Sequence, residues 1–336
     1  LTEINRALAM KPSEPQYLSD RGFILMNLKN YDKAKQDFEK ALKSDSNNPY
    51  ANMGMGEIYR KQDDLKKSAD YYKKAIILDP SIPKAQLFLA SVYFDMDMFD
   101  ESLSYYQAEL DKIKLYGKID DFQEAACFAE MARIYAMIDR MDLAKENLNN
   151  FYSHVRLNDI FEGENDRDLS LLSDLGNACI EMGAHEPSFY EKAFQAYSTC
   201  LKYADKYDSD VNFYHCFQCG WCLWEMGKKK EALKYFKKAL TYKQKDKGRY
   251  NFWMPGHIYA IFGKYDQALA YLNKSLEKDP EFENAYYTRA WVYSMKKMYD
   301  KARDDIEMVS ALRKNGKCIL LFYRKSQELN KFISDK

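Results

Sequence analysis

Three cysteines and a histidine crowd into HCFQCGWCLW, His215 to Trp224. Thiolates and imidazole are the ligands that structural zinc and iron–sulfur clusters use, so Cys216, Cys219, Cys222 and His215 raise the question of a metal or redox site. Spacing argues against one. On a helix, residues at i, i+3 and i+6 cover about 120°, a stripe and not a ring, and His215 lies about 100° round from Cys216. A tetrahedral site would need a further ligand from elsewhere, and no second C-x2-C pair exists to supply it. The expected state is three structural thiols packed as small hydrophobes. A metal or cluster is the alternative.

No other chemistry is encoded more strongly. The sequence holds no phosphate loop, nucleophile elbow, zinc-protease helix or dinucleotide fingerprint. His154, His185, His215 and His257 are scattered without metal spacing, and carboxylates spread over helical surfaces make no acid/base pair. A non-enzymatic protein without cofactor or metal is expected.

The chain has 336 residues with 51 basic and 51 acidic side chains, so its net charge is zero. Phosphate-backbone binding needs a basic surplus that releases counterions, so a nucleic-acid partner is not expected. No apolar run is long enough to span a bilayer, so no membrane partner is expected either. Seven cysteines over this length do not form a disulfide framework. Free thiols point to a reducing compartment, read here as cytoplasmic. The chain starts at Leu1 within a helical pattern, as a fragment of a longer protein would.

The elements around the cysteines repeat. YDKAKQDFEKALKSDSNNP from Tyr31, DLKKSADYYKKAIILDPSIP from Asp64 and YDQALAYLNKSLEKDPEFE from Tyr265 share one pattern. A small residue is followed four later by a ring or leucine and three after that by another small residue: Ala34, Phe38, Ala41; Ser68, Tyr72, Ala75; Ala268, Leu272, Ser275. That is one helical face. Twelve residues before each first small residue lies another, at Gly22, Gly56 and Ala90 in the first three units, with Leu25, Tyr59 and Tyr93 three later. Two helices per unit, brought close at small residues, are predicted.

A period of 34 with this signature resembles the tetratricopeptide repeat (TPR). The resemblance covers nearly the whole chain and implies an all-α, right-handed solenoid of antiparallel helix pairs. Eight repeats over 15–316 start near Pro15, Pro49, Pro83, Ala125, Leu169, Phe213, Arg249 and Glu283. Residues 1–14 read as the second helix of a truncated preceding repeat. Longer spacers occupy 111–124, 154–170 and 201–212, read as longer helices and larger loops and not as a domain break. HEPSF from His185 separates the helices of the fifth repeat. Residues 317–336 read as a capping helix whose apolar face covers the last repeat, with Arg324, Lys325 and Glu328 turned to water.

TPR proteins bind peptides along the concave face of their first helices, and the resemblance implies that repeat positions 2, 5, 9, 12 and 13 point there. All four tryptophans fall on such positions: Trp221, Trp224, Trp253 and Trp291. Tyr214, Phe217, Tyr250 and Tyr287 join them, with His257 alongside. An aromatic strip across the last three repeats is therefore expected, since exposed aromatic patches mark binding sites. The other reading is that these rings pack against neighbouring first helices. Pro255, inside the first helix of the seventh repeat, is expected to delay or kink that helix. The first half of the groove is polar, with Tyr50, Met53, Glu57, Arg60, Lys61, Lys84, Phe94 and Arg133. The Lys/Asn carboxylate clamp of some TPR proteins is absent, because positions 5 and 9 hold Ser19 and Phe23, Met53 and Glu57, then Leu87 and Ser91. Lys228 to Arg249 carries ten basic and two acidic residues, read as a solvated convex face.

The expected function is a scaffold or adaptor that holds a protein or peptide partner, with Tyr214, Phe217, Trp221, Trp224, Tyr250, Trp253, His257, Tyr287 and Trp291 as apolar anchors and Arg60, Lys61 and Arg133 setting register. Two rivals stand beside it: a regulatory or substrate-recruiting arm of a larger enzyme, and an aromatic groove for a glycan or small ligand.

Overall fold

The computed structural model describes residues 1–116, 121–155, 160–161, 166–203, 209–244, 248–314 and 320–334. Eighteen helices and no strands occur among them. They are α1 (Thr2–Met10), α2 (Pro15–Asn27), α3 (Tyr31–Ser44), α4 (Pro49–Lys61), α5 (Leu65–Leu78), α6 (Ala85–Asp95), α7 (Phe99–Tyr116), α8 (Asp121–Met137) and α9 (Met141–His154). There follow α10 (Asp166–Gly183), α11 (Phe189–Lys202), α12 (Ser209–Glu225), α13 (Lys229–Ala239), α14 (Arg249–Ile261), α15 (Tyr265–Lys278), α16 (Glu283–Met295), α17 (Tyr299–Lys314) and α18 (Leu320–Ser334). The fold is an all-α solenoid of helix pairs, with α2 on α3, α4 on α5, α6 on α7, α10 on α11, α12 on α13, α14 on α15 and α16 on α17. The chain divides into two compact units, Leu1–Cys127 and Phe128–Lys336. None of the described helices is long and apolar enough to cross a membrane.

Turn chemistry sets the pairs. Lys29, Asp63, Asp97, Asp139, Gly227, Gly263 and Lys297 all have positive φ, from 58° to 76°. Each follows the end of a first helix. The next residue's N–H then reaches back to a carbonyl of that helix, as Asn30 N to Leu25 O (2.8 Å), Asp64 N to Tyr59 O (3.0 Å) and Lys228 N to Leu223 O (2.8 Å) do. This is the Schellman closure, which satisfies carbonyls that a helix end leaves open. It reverses the chain within two or three residues, so the second helix must fold back on the first. In the fifth pair the link between α10 and α11 is longer, Ala184 to Ser188.

In several pairs close approach is made by glycine against a ring. A Cβ on Gly22 would lie 2.5 Å from the Phe38 ring, and one on Gly54 would lie 2.3 Å from the same ring. Phe38 is thus clasped between its own first helix α2 and the next first helix α4, with no exposed surface. Gly176 against Tyr197 (2.7 Å) and Gly220 against Phe236 (2.6 Å) repeat the arrangement in the second unit. Where serine replaces a small residue of the second helix, its hydroxyl donates across the pair: Ser68 to Gly56 O and Ser102 to Ala90 O at the first small position, and Ser275 to Arg249 O at the last, each 2.8 Å.

One polar clamp recurs. Arg21 pairs through two nitrogens with Asp37 (2.6 and 2.7 Å) and donates to Asn5 of α1 (3.0 Å). Arg289 does the same with Asp305 (2.8 and 2.7 Å) and Asn273 of α15 (2.8 Å). Asn5 therefore holds, before the first pair, the place that Asn273 holds before the last. In the first unit the extended end of α7 buries Lys112, whose ammonium donates to Glu109 (2.7 Å), Gln86 (3.0 Å) and Ile82 O (3.0 Å). All three of its protons are used, which a buried ammonium requires.

Two expectations need correction. α14 begins at Arg249 and runs through Pro255 without a late start. In α18, Lys325 does not face water. The helix packs on α16 and α17, with Ile333 in a cluster with Ala290, Ala302 and Ile306, and it directs Lys325 back to α12. Cys318 and the side chain of Arg324 lie outside the described residues, and Glu328 is exposed.

Candidate functional site

Three first helices of the second unit stack their rings. Phe217 and Trp221 stand one turn apart on α12, as do Trp253 and His257 on α14, so each pair shares a helix face. Ring centroids are 5.4 Å apart for Phe217–Trp253, 5.1 Å for Trp221–His257, 5.7 Å for Trp253–His257 and 5.9 Å for His257–Trp291 of α16. Thr288 of α16 locks this cluster. Its hydroxyl donates to Asn284 O (2.8 Å) and so accepts from Trp253 Nε1 (3.0 Å) and His257 Nδ1 (3.2 Å). The proton of neutral His257 therefore sits on Nδ1. Burial, with the nearby Lys325 ammonium, pushes its pKa down to about 3.

The expected open strip is largely a packed layer. Phe217, Trp221, Trp253 and His257 are 1%, 3%, 5% and 5% exposed. Tyr214, Tyr287 and Trp291 are half-buried, and Tyr250, at 40%, shows a ring to solvent. Trp224 stands apart. It lies one turn after Gly220 on the stripe that meets α13, so its ring packs 6.5 Å from Phe236, with the Lys229 ammonium 5.3 Å above it.

The Lys325 ammonium sits 4.8 Å from the centre of the Trp221 ring and 2.5 Å from Glu225 Oε1. A cation over an indole and against a carboxylate is a favourable seat. Tyr287 lies nearby; burial raises its hydroxyl pKa, with Glu225 and Glu328 adding to the shift.

Further along the first helices lies a group of acidic side chains. Glu130 and Arg133 of α8 form a 3.4 Å pair. Asp174 and Glu181 of α10 both have carboxyl pKa values raised by burial, opposed by Arg133, and Glu130 raises Asp174 further. Arg133 thus acts on all three acidic groups. Asn177 accepts from Tyr197 (2.7 Å) and Tyr214 (2.5 Å).

The cysteines lie inside. Cys216, Cys219 and Cys222 are fully buried, as are Cys179 and Cys200. Burial lifts Cys216 to about 11 and Cys179 to about 12, and raises Cys219 and Cys222 too. Such thiols stay protonated near neutral pH and are poor nucleophiles. His215 is buried against Ser173, with Nε2 2.8 Å from its hydroxyl, and desolvation lowers its pKa to about 4. Among the described residues no group of three His, Cys, Asp or Glu is disposed to hold a metal ion.

In the first unit, Arg60 and Lys61 converge on Glu57. Arg60 donates to both carboxylate oxygens (2.9 and 3.2 Å), Lys61 stands at 3.6 Å, and the Tyr72 hydroxyl donates at 2.9 Å. Burial pushes the Glu57 pKa up, but Arg60, Lys61 and Tyr72 more than reverse it, and it ends below the usual range.

Family profiles described as the tetratricopeptide repeat match residues 15–48, 49–82, 216–246, 253–282 and 271–304. The chain is a tetratricopeptide repeat protein. Repeats of this family build scaffolds that usually mediate protein interactions. A TPR protein from Parabacteroides merdae is similar in structure, at 12% identity and a TM-score of 0.53, covering 83% of this chain and 98% of that one. The human IFIT1 dimer with m7Gppp-AAAA is similar at 16% identity and a TM-score of 0.56, covering 90% of this chain and 72% of that one. At these identities both show the fold alone. No curated protein matches the sequence.

TPR register explains which residues sequence reasoning passed over. Glu181 and Glu225 both fall at position 13 of repeats starting at Leu169 and Phe213, a position already expected to face inward. Counting that position for charge, as it was counted for tryptophan, finds them. Thr288 and Lys325 carry no such signal.

Proposed function

We propose that this TPR protein is a non-catalytic scaffold whose second unit holds a partner protein segment along its first-helix face. The observation that carries this is the inner lining itself: Glu130, Arg133, Asp174, Glu181 and Glu225 lie half-buried on three successive first helices. Partly desolvated acidic groups are costly unless they are paired, and a bound segment carrying positive charge would complement them. The packed rings of Phe217, Trp221, Trp253 and His257 form a stiff floor beside that lining. Tyr214, Tyr250, Tyr287 and Trp291 keep exposed edges for apolar contact, while Arg60 and Lys61, already engaged with Glu57, are assigned to the first unit's own stability. Stacking of a sugar is disfavoured, because the faces it needs on Trp221 and Trp253 are covered. The acidic lining likewise disfavours a nucleic-acid chain.

The test is selection of random 16-residue displayed peptides on the protein, followed by affinity measurement on Arg133→Ala, Glu181→Ala and the exposed second-helix control Lys234→Ala. Peptides that lose at least about tenfold (~1.4 kcal/mol) on the inner-face variants and nothing on the control support the reading. Enrichment of no peptide, or loss only at Lys234, overturns it.

A further inference from the structure

The seat around Lys325 is built from two parts of the chain that lie far apart in sequence. Its platform belongs to the repeats. Trp221 packs at tilted angles against Phe217, Trp253 and His257, and Glu225 follows it one turn later on α12. Its occupant belongs to α18, a helix after the last repeat. Lys325 precedes Ser326, and it is Ser326, Leu329 and Ile333, three and four residues apart, that anchor α18 on the last pair. Lys325, one turn before Leu329, stands at the edge of that stripe and reaches across to α12, a hundred residues earlier in sequence.

Capping the last repeat needs only the anchoring stripe. A lysine sent from it onto a tryptophan and a carboxylate, with its side chain 23% exposed and that of Glu225 17%, gives up hydration and rotamer freedom for a contact that capping does not require. Glu225 of the seat and Glu181 of the acidic cluster both act on the Tyr190 hydroxyl, and Arg133 is the cation that acts on Asp174, Glu181 and Glu130. Both features call for cationic groups.

We propose that Trp221 and Glu225 form a subsite for a basic side chain of the partner segment, and that Lys325 occupies it in cis as a built-in competitor. This rests on the reading of the first-helix face as a segment-binding surface, and it names the partner's chemistry: a protein segment with a lysine or arginine at the residue that meets α12, running beside further positive charge toward α10. In the free protein the seat is closed by Lys325. A partner gains it by supplying a cation of its own, with the ammonium or guanidinium placed over the Trp221 ring and hydrogen-bonded to Glu225.

The probes are ten-residue serine–alanine host peptides with two central residues set to Lys, Arg, Gln or Glu. They are titrated against the full chain by tryptophan fluorescence, with far-UV circular dichroism melts to verify folding. Lys325→Ala is expected to bind the Lys and Arg peptides at least about tenfold more tightly than the wild type does, and at least about tenfold more tightly than it binds the Gln peptide. Lys325→Arg keeps a cation in the seat and is expected to bind as weakly as the wild type. Adding Glu225→Gln to Lys325→Ala is expected to abolish the preference for Lys and Arg. Equal affinity of Lys325→Ala for Lys and Gln peptides overturns the subsite, and so does equal affinity of wild type and Lys325→Ala for the Lys peptide. Either result leaves the scaffold reading standing if selected peptides still depend on Arg133 and Glu181. Loss of that dependence as well removes the scaffold reading itself.

Discussion

Gly54→Ala in α4 adds a single methyl group, and the structure says where it goes. The new Cβ would stand 2.3, 2.4 and 2.6 Å from three carbons of the Phe38 ring. Carbon atoms in contact sit about 3.5–4.0 Å apart, so the ring or the helix must yield by more than about 1 Å. The ring has no room to retreat, because Gly22 presses on it from α2 with a would-be Cβ at 2.5 Å. Two effects compete. Alanine in place of glycine favours a helix by about 1 kcal/mol, and overpacking a filled core disfavours it by about 1–3 kcal/mol. With the ring held on both sides the upper end applies, so a net loss of about 2 kcal/mol is expected. Gly256→Ala in α14 is the internal comparison. Its Cβ would meet Leu272 Cγ at 3.0 Å and Tyr271 Cβ at 3.2 Å, contacts that need a shift of only a few tenths of an ångström, so the two effects should nearly cancel.

Urea unfolding followed by circular dichroism gives the stabilities. Since a repeat array need not unfold in one step, hydrogen exchange of α2 to α5 amides serves as the local readout. Phe38→Leu shrinks the ring's footprint, and the double variant with Gly54→Ala should be no less stable than Phe38→Leu alone, a coupling of the kind that neighbours show. Equal stability of Gly54→Ala and Gly256→Ala, or simple additivity with Phe38→Leu, would refute the claim that this ring sets the distance between neighbouring first helices.

Two further outcomes follow from the turns and from the buried imidazole. Lys297→Gly in the α16–α17 turn relieves a left-handed residue at φ 58°, worth about 1 kcal/mol before the larger backbone entropy of unfolded glycine is deducted; a net gain of about 0.5 kcal/mol should raise the thermal midpoint, and a lower midpoint would count against the closure described for these turns. His257, with a folded pKa of about 3 against an ordinary 6.5, contributes stability that is present above pH 6.5 and is lost as pH falls toward 3, by about 1.4 kcal/mol per unit. His257→Asn keeps a donor for Thr288 and cannot titrate, so the stability difference between variant and wild type should shift by about 2 kcal/mol between pH 7.5 and 5; a difference that does not move with pH would contradict a buried neutral histidine.

The fold was legible from local sequence because each pair is specified within its own span. The spacing of Gly22, Ala34 and Phe38, repeated at Gly56, Ser68 and Tyr72, states which face is narrow and which side chain fills it, and both partners come from one stretch of chain. The same register placed the cysteines of His215–Trp224 on a packing face, and it gives Glu181 and Glu225 the same place, position 13 of their repeats. Tertiary structure alone decided what became of the inward-pointing aromatics. Phe217, Trp221, Trp253 and His257 are hidden because three first helices bring their rings within about one ring diameter of each other, and the helix–helix distance that does this is not written in any one repeat. It also carried Lys325 back to Trp221 and Glu225, whereas the turn of Trp224 toward α13 follows from its place one turn after Gly220. Repeat periodicity fixes which way a side chain points from its own helix. Whether it meets water, a ring or a distant lysine depends on elements that the period does not number, and α18 lies beyond the last repeat that it counts.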